Sequence, residues 1–269
     1  MKRLLPLFLL VWCMCSAYGA TYTIGSGGNF SDINAAMSSS SVKAGDVLHI
    51  LAGTTTSSGV NQIVTKSVTI EGDGFARDSQ GAFAQLATVY NLYLQADGIT
   101  VSRLCLAGNV YIRANEITIE KCYVTANVSG NLPNYDTDDF TLRQCLVTGL
   151  VRGQDSEDQM GWRIMNNIFT SSATSGVNFI NGMNGGLIDH NIFFHQNPST
   201  ETSNFCIKFV TGCTITNNIF THFLSDCGQQ ATFEGTVRQN VFTSSSVSHN
   251  VFSGQMGYDG NKCGVSRPT

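Results

Sequence analysis

The chain has 269 residues, of which 13% are charged, 42% are hydrophobic and only 4 are proline. That balance supports one sizeable buried core and excludes intrinsic disorder, collagen and low-complexity polymers. With 15 basic against 19 acidic residues the formal charge is −4, which argues against nucleic acid as a partner.

Lys2 and Arg3 precede an apolar run from Leu4 to Cys15, and the small residues Ala17 and Gly19 follow around Tyr18. This is the pattern of a secretory signal, so residues 1–20 are expected to be removed and residues 21–269 to form one domain. The run falls short of the roughly 20 residues a membrane-spanning helix needs. The expected product is secreted or held at the cell surface, has no membrane span, carries a charge of 13 − 19 = −6 and is a monomer. Trp12 and Met14 are too bulky for a lipoprotein signal around Cys15. Of the 9 cysteines, Cys13 and Cys15 leave with the signal, and the odd number that remains leaves at least one unpaired. None has zinc-finger spacing, and several lie in apolar strands where a thiol packs as a small hydrophobe. Cys227 with Cys206 or with Cys213 are the open alternatives for a disulfide.

The first elements of the mature chain are a strand at Tyr22-Thr-Ile, a short helix from Asp32 to Ser38, and coil segments at Ala44–Val47, Leu51–Gly53 and Lys66–Gly74. The helix is expected to cover the apolar end of a stack. Internal repeats follow. Ile99-Thr-Val-Ser-Arg-Leu104, Ile117-Thr-Ile-Glu-Lys-Cys122, Phe140-Thr-Leu-Arg-Gln-Cys145 and Trp162-Arg-Ile-Met-Asn-Asn167 align without gaps. So do Gly186-Leu-Ile-Asp-His-Asn191, Cys213-Thr-Ile-Thr-Asn-Asn218, Gly235-Thr-Val-Arg-Gln-Asn240 and Ser245-Ser-Val-Ser-His-Asn250. From Leu104 to Asn240 the spacings are 18, 23, 22, 24, 27 and 22. Apolar pairs such as Ile168-Phe169, Ile192-Phe193 and Ile219-Phe220 come directly after the repeated position. Short alternating strands at such a period describe a coil that returns above itself and buries its inward residues against its neighbours. Asn167, Asn191, Asn218, Asn240 and Asn250 are expected to stack as an amide ladder whose members take a left-handed turn, with Cys122 and Cys145 in the same slot below.

This pattern resembles the right-handed parallel β-helix of the pectin-lyase-like superfamily, from about Thr21 to Val265. The opening segments and the closing Tyr258-Asp-Gly-Asn-Lys-Cys-Gly264 are similar to those of its secreted bacterial members. The expected fold is all-β, a solenoid of about nine coils of roughly 22 residues with an N-terminal capping helix.

The resemblance also implies that the strand before each ladder segment lines a groove. Alternation in those strands puts Leu92, Leu94, Val110, Ile112, Val177, Phe179, Phe205 and Ile207 inside. It puts Tyr93, Tyr111, Arg113, Asn178 and Lys208 outside. Tyr93, Tyr111 and Asn178 are the candidate sugar contacts. The partner implied is an extracellular polysaccharide, and the basic residues suit an acidic one. Asp136, Asp138, Asp139 and Asp158 are candidate oxygen ligands for Ca²⁺, and Arg113 and Lys208 are the candidate catalytic residues of a Ca²⁺-dependent β-elimination such as pectate lyases perform. Solvated loop acids are the simpler account of those aspartates.

The departures from known enzymes matter as much. Ile188-Asp189-His190 resembles a fragment of the pectate lyase pattern, but Leu187 stands where that pattern has Trp and no Arg-Xaa-Pro follows. Asp189 and His190 therefore read as turn residues. The paired-carboxylate set of polygalacturonases is absent. The sequence leaves three readings open: a polysaccharide-binding β-helix, a polysaccharide lyase or glycoside hydrolase, and a non-catalytic surface or adhesin module.

Overall fold

The computed structural model describes residues 19–74, 85–130, 135–153, 160–173, 178–196, 205–221, 234–238, 241–243 and 262–264. Every strand pairing among them is parallel, and the strands stack into three faces of a parallel β-helix. The first face holds Gln62–Val64, Leu92–Leu94, Val110–Ile112, Val128–Ser129 and Val151–Arg152, then the leading parts of Asn178–Asp189 and Phe205–Thr216. The second holds Thr21–Ile24, Val47–Ile50, Thr69–Glu71, Thr100–Ser102, Thr118–Glu120, Thr141–Arg143 and Trp162–Met165, then the trailing parts of those two long strands, and Glu234–Arg238. The third runs from Thr88–Val89 through Cys105–Leu106, Tyr123–Val124, Leu146–Val147, Ile168–Ser171, Ile192–His195, Ile219–Thr221 and Val241–Thr243 to Lys262–Gly264.

The predicted alignment is the observed register. Val101, Ile119, Leu142, Ile164, Ile188, Ile215 and Val237 pair rung to rung along the second face. The first six of these are buried, because alternation in short strands sends every second side chain into the prism. Aromatic side chains fill its middle. Phe169 and Phe193 stack at 4.8 Å, and Phe140 meets Trp162 edge-on at 4.8 Å while the indole N–H donates to Thr137 O at 2.6 Å. Helix α1 (Ile33–Ser38) is N-capped by Asp32, whose carboxylate accepts from Ala35 N at 2.8 Å, and it buries Ile33, Ala36 and Met37 against the first coils.

Asn167, Asn191 and Asn218 form the ladder, fully buried at the corner between the second and third faces. The left-handed residue, however, is the one before each ladder position: Arg103, Lys121, Gln144, Asn166, His190 and Asn217, with φ between 54° and 58°. The preceding residue makes the turn, so the ladder amide itself is free to face its neighbours. Below Asn167 the slot passes to thiols. Cys145 N donates to Asn167 Oδ1 at 2.9 Å, and Cys122 N donates to Cys145 Sγ at 3.4 Å. Asn240 and the Ser245–Asn250 repeat lie outside the described residues.

Gly182 and Gly185 lie within the continuous strand Asn178–Asp189, where φ values of 82° and 58° bend it from the first face to the second without a loop. Cys213, one of two candidate partners for Cys227, is buried, and its thiol donates to Met183 O at 4.0 Å. Cys227 is outside the described residues, as is the side chain of Cys206.

Candidate functional site

On the first face one outward column runs through Ile63, Tyr93, Tyr111, Ser129, Arg152, Asn181 and Lys208, each paired in register with the next. Its inward neighbours Leu92, Leu94, Val110, Ile112, Val128, Val151 and Ile180 are buried, so the column is held by the core itself. Asparagines set the rungs at the start of the strands. Asn127 Oδ1 accepts from Leu150 N at 3.2 Å and Asn109 Oδ1 from Asn127 N at 3.4 Å, while the Asn109 amide donates to the Tyr111 hydroxyl at 3.3 Å.

Tyr93 and Tyr111 stack with ring centroids 4.4 Å apart and planes 26° from parallel. The Arg113 guanidinium carbon lies 4.6 Å from the Tyr93 centroid and 5.0 Å from that of Tyr135, so the cation is wedged between two rings. Its Nε is buried without a hydrogen-bond partner, and among the described residues none accepts from the guanidinium. Burial raises the Tyr93 hydroxyl above its ordinary pKa, with Tyr111 adding to the shift and Arg113 opposing it, so the phenol is neutral at physiological pH. A guanidinium pinned in this way presents fixed donors, which suits holding an anion or a hydroxyl.

The other predicted site residues are distributed differently. Asn181, not Asn178, stands in register with Arg152, because Phe179 and Ile180 are both buried and alternation slips as the strand approaches its bend. The side chain of Asn178 is outside the described ones. Lys208 follows Asn181 in the column by backbone register, next to the buried Ile207. Asp138 and Asp139 lie in the turn joining the first and second faces. Asp138 Oδ1 accepts from Met160 N at 2.6 Å, and Asp139, left-handed at φ 54°, stands 3.7 Å from Arg163. Asp136 is exposed, and Asp158 is outside the described residues. Among the described residues no three His, Cys, Asp or Glu side chains gather as a metal site. Asp138 thus supports the backbone of its turn, and Asp139 faces Arg163.

Asp189 behaves as a turn residue. It accepts from Thr216 Oγ1 at 2.7 Å and Asn217 Nδ2 at 2.8 Å and contacts His190 Nδ1 at 2.6 Å, tying its corner to the next coil. On the second face Arg143 pairs with Glu120 and Arg103 with Glu71, so those charges are spent on each other.

Sequence reasoning passed over Tyr135, Ser129, Arg152 and Asn181. The signal lay in Asn91-Leu-Tyr, Asn109-Val-Tyr, Asn127-Val-Ser and Leu150-Val-Arg, spaced 18, 18 and 23 residues apart like the ladder segments themselves. The strands that carry Ser129 and Arg152 are only two residues long, too short to show alternation unaided.

No protein-family model matches the chain, and no curated protein matches it. Among solved structures it is similar to a pectin methylesterase in complex with a hexasaccharide, with TM-score 0.55 and 11% identity over 87% of this chain and 92% of that one. It is also similar to the PL6 family alginate lyase AlyGC, with TM-score 0.50 and 15% identity over 82% of this chain and 38% of that one. At such identities the likeness shows the fold alone, a right-handed parallel β-helix. Among the described residues no helix is long and apolar enough to cross a membrane.

Proposed function

We propose that this β-helix is an extracellular protein that binds an acidic polysaccharide along its first face. The observation that carries the reading is the Tyr93–Tyr111 stack, closed on one side by Arg113 and followed on the other by the small Ser129. Arg152 stands two rungs beyond Tyr111, roughly 10 Å at the ~4.8 Å spacing of strands. A sugar ring can rest over Ser129 against the apolar face of Tyr111, with its carboxylate toward Arg152. From Tyr93 to Lys208 the column climbs five rungs, about 24 Å, and includes no acidic residue. An extended polymer of carboxylated sugars matches that length and charge. The fold shared with two carbohydrate-active enzymes supports a glycan as the ligand class.

The reading is binding, and no reaction is derived from it: Arg113 lies between two aromatic rings, and Asp138 accepts from Met160 N. Calorimetric titration with polyuronate oligomers, and with a neutral glucan as control, tests it. Binding of the acidic polymer that weakens as salt is added is expected. No heat with any polymer would overturn it.

A further inference from the structure

The basic residues of the first face recur on every second rung. Arg113 follows directly on Val110–Ile112 and so shares the rung of Tyr111, two residues to its side. Ser129 stands one rung on and Arg152 two. The register then brings in Asn181 and, two rungs beyond Arg152, the position of Lys208. Cationic rungs thus alternate with the neutral polar rungs of Ser129 and Asn181, with about 10 Å from one cationic rung to the next. These cations also differ from those of the second face. There Arg103 pairs with Glu71, Arg143 with Glu120 and Arg163 with Asp139, whereas Arg113 and the exposed Arg152 pair with no acid among the described residues.

Resting on the sugar-binding reading, we infer that the ligand is a polysaccharide built from a repeating disaccharide, in which a sugar bearing a carboxylate alternates with a neutral one. A pyranose linked across its ring advances an extended chain by about one rung, so cations two rungs apart meet every second sugar. One acidic sugar lies over Ser129 with its carboxylate toward Arg152. The next acidic sugar, two units on, lies over Asn181 at the step below the rung of Lys208. The sugar between them meets no further cation in the column. A carboxylate on that sugar would stay unpaired beside a chain whose formal charge is −4, so a neutral sugar suits the place better. The period of the cations, rather than their number, is what selects this class of polymer.

Calorimetric titration with three oligosaccharides of equal length tests this: glucuronate alternating with N-acetylglucosamine, glucuronate alone, and a neutral glucan. The wild type is expected to bind the alternating oligomer at least as tightly as the homopolymer, although it carries half the charge. Ser129→Arg with Arg152→Ser keeps the charge of the face and moves one cation by one rung. The alternating oligomer should then bind at least about tenfold more weakly, the loss of one charge-assisted contact, while the homopolymer, with a carboxylate on every sugar, keeps its affinity. A variant that fails to fold would lose both ligands alike. In that event Arg152→Asn with Asn181→Arg moves the same cation the other way and should show the same split. A homopolymer that binds the wild type at least tenfold more tightly than the alternating oligomer, or a folded variant that binds the alternating oligomer as the wild type does, would overturn the inference and leave the sugar-binding reading standing. No heat with any of the three would overturn both.

Discussion

Asn167 sends both its backbone N–H and its side-chain Nδ2 to one oxygen, Asn191 Oδ1, at 2.9 and 3.0 Å. Asn191 repeats the arrangement with Asn218 Oδ1, and each ladder amide also donates to the carbonyl of a residue in the coil below, Asn167 to Leu142 O and Asn191 to Ile164 O. One asparagine thus satisfies polar groups of two coils in a site that water does not reach.

Removing that amide strands its partners. Asn191→Ala leaves the Asn167 N–H groups and Ile164 O without their bonds, and each buried unsatisfied group costs about 1–3 kcal/mol. A total loss on the order of 3–5 kcal/mol is expected from urea denaturation. A loss under about 1 kcal/mol would mean the ladder is an ornament of the fold rather than a support.

The buried thiols should be inert while the chain is folded. Burial pushes Cys213 up to about 12 and Cys122 well above its ordinary value, so neither presents thiolate at neutral pH. Mass-mapped alkylation is expected to spare both in the native protein and label both in denaturant. Because the folded Cys213 holds its proton to about 12 while the unfolded thiol releases it near 9, stability should fall as pH rises through that window. Rapid native labelling of Cys213 would contradict this.

Asp189 sets an acid-side dependence. Its burial alone would raise the pKa, but bonds from Thr216, His190 and Asn217 outweigh that and hold it below 3.8. A depressed folded pKa contributes stability that is complete above the ordinary value and is lost as pH falls through the folded one. Asp189→Asn should cost about 1–2 kcal/mol at neutral pH and less near pH 3, since the wild type is then losing the same contribution. Equal costs at both pH values in urea titrations would count against the assignment.

Filling the gap above Tyr111 should block the proposed groove without harming the helix. Ser129 is half-buried, outward and between Tyr111 and Arg152, so Ser129→Tyr adds a β-compatible side chain where the sugar would lie. Polyuronate affinity is expected to drop at least tenfold with the thermal midpoint unchanged. Unaltered binding would move the site elsewhere.

The coil was legible because one position per repeat, the Asn or Cys slot, stays in phase from Cys122 to Asn218, and register follows from phase. Tyr93 and Tyr111 were legible because their three-residue strands alternate cleanly between buried and outward positions, and Arg113 because it follows directly after the second of them. Asn181 was hidden because the strand bends at Gly182 and Gly185, and the two buried residues before it, Phe179 and Ile180, break the period. Of the apolar pairs Ile168-Phe169 and Ile192-Phe193 the aromatic residue is core and the isoleucine surface, a distinction that only the strand's facing decides.

The central claim is that the first face holds an acidic glycan through Tyr111 and Arg152. Its most direct test is calorimetric titration of a polyuronate oligomer into the wild type, Tyr111→Ala and Arg152→Ala at low and high salt. The account predicts wild-type binding, at least a tenfold loss in each variant, and a weaker salt dependence in Arg152→Ala because one charged contact has gone. Wild-type binding that both variants retain in full, or no binding by the wild type at all, would contradict it.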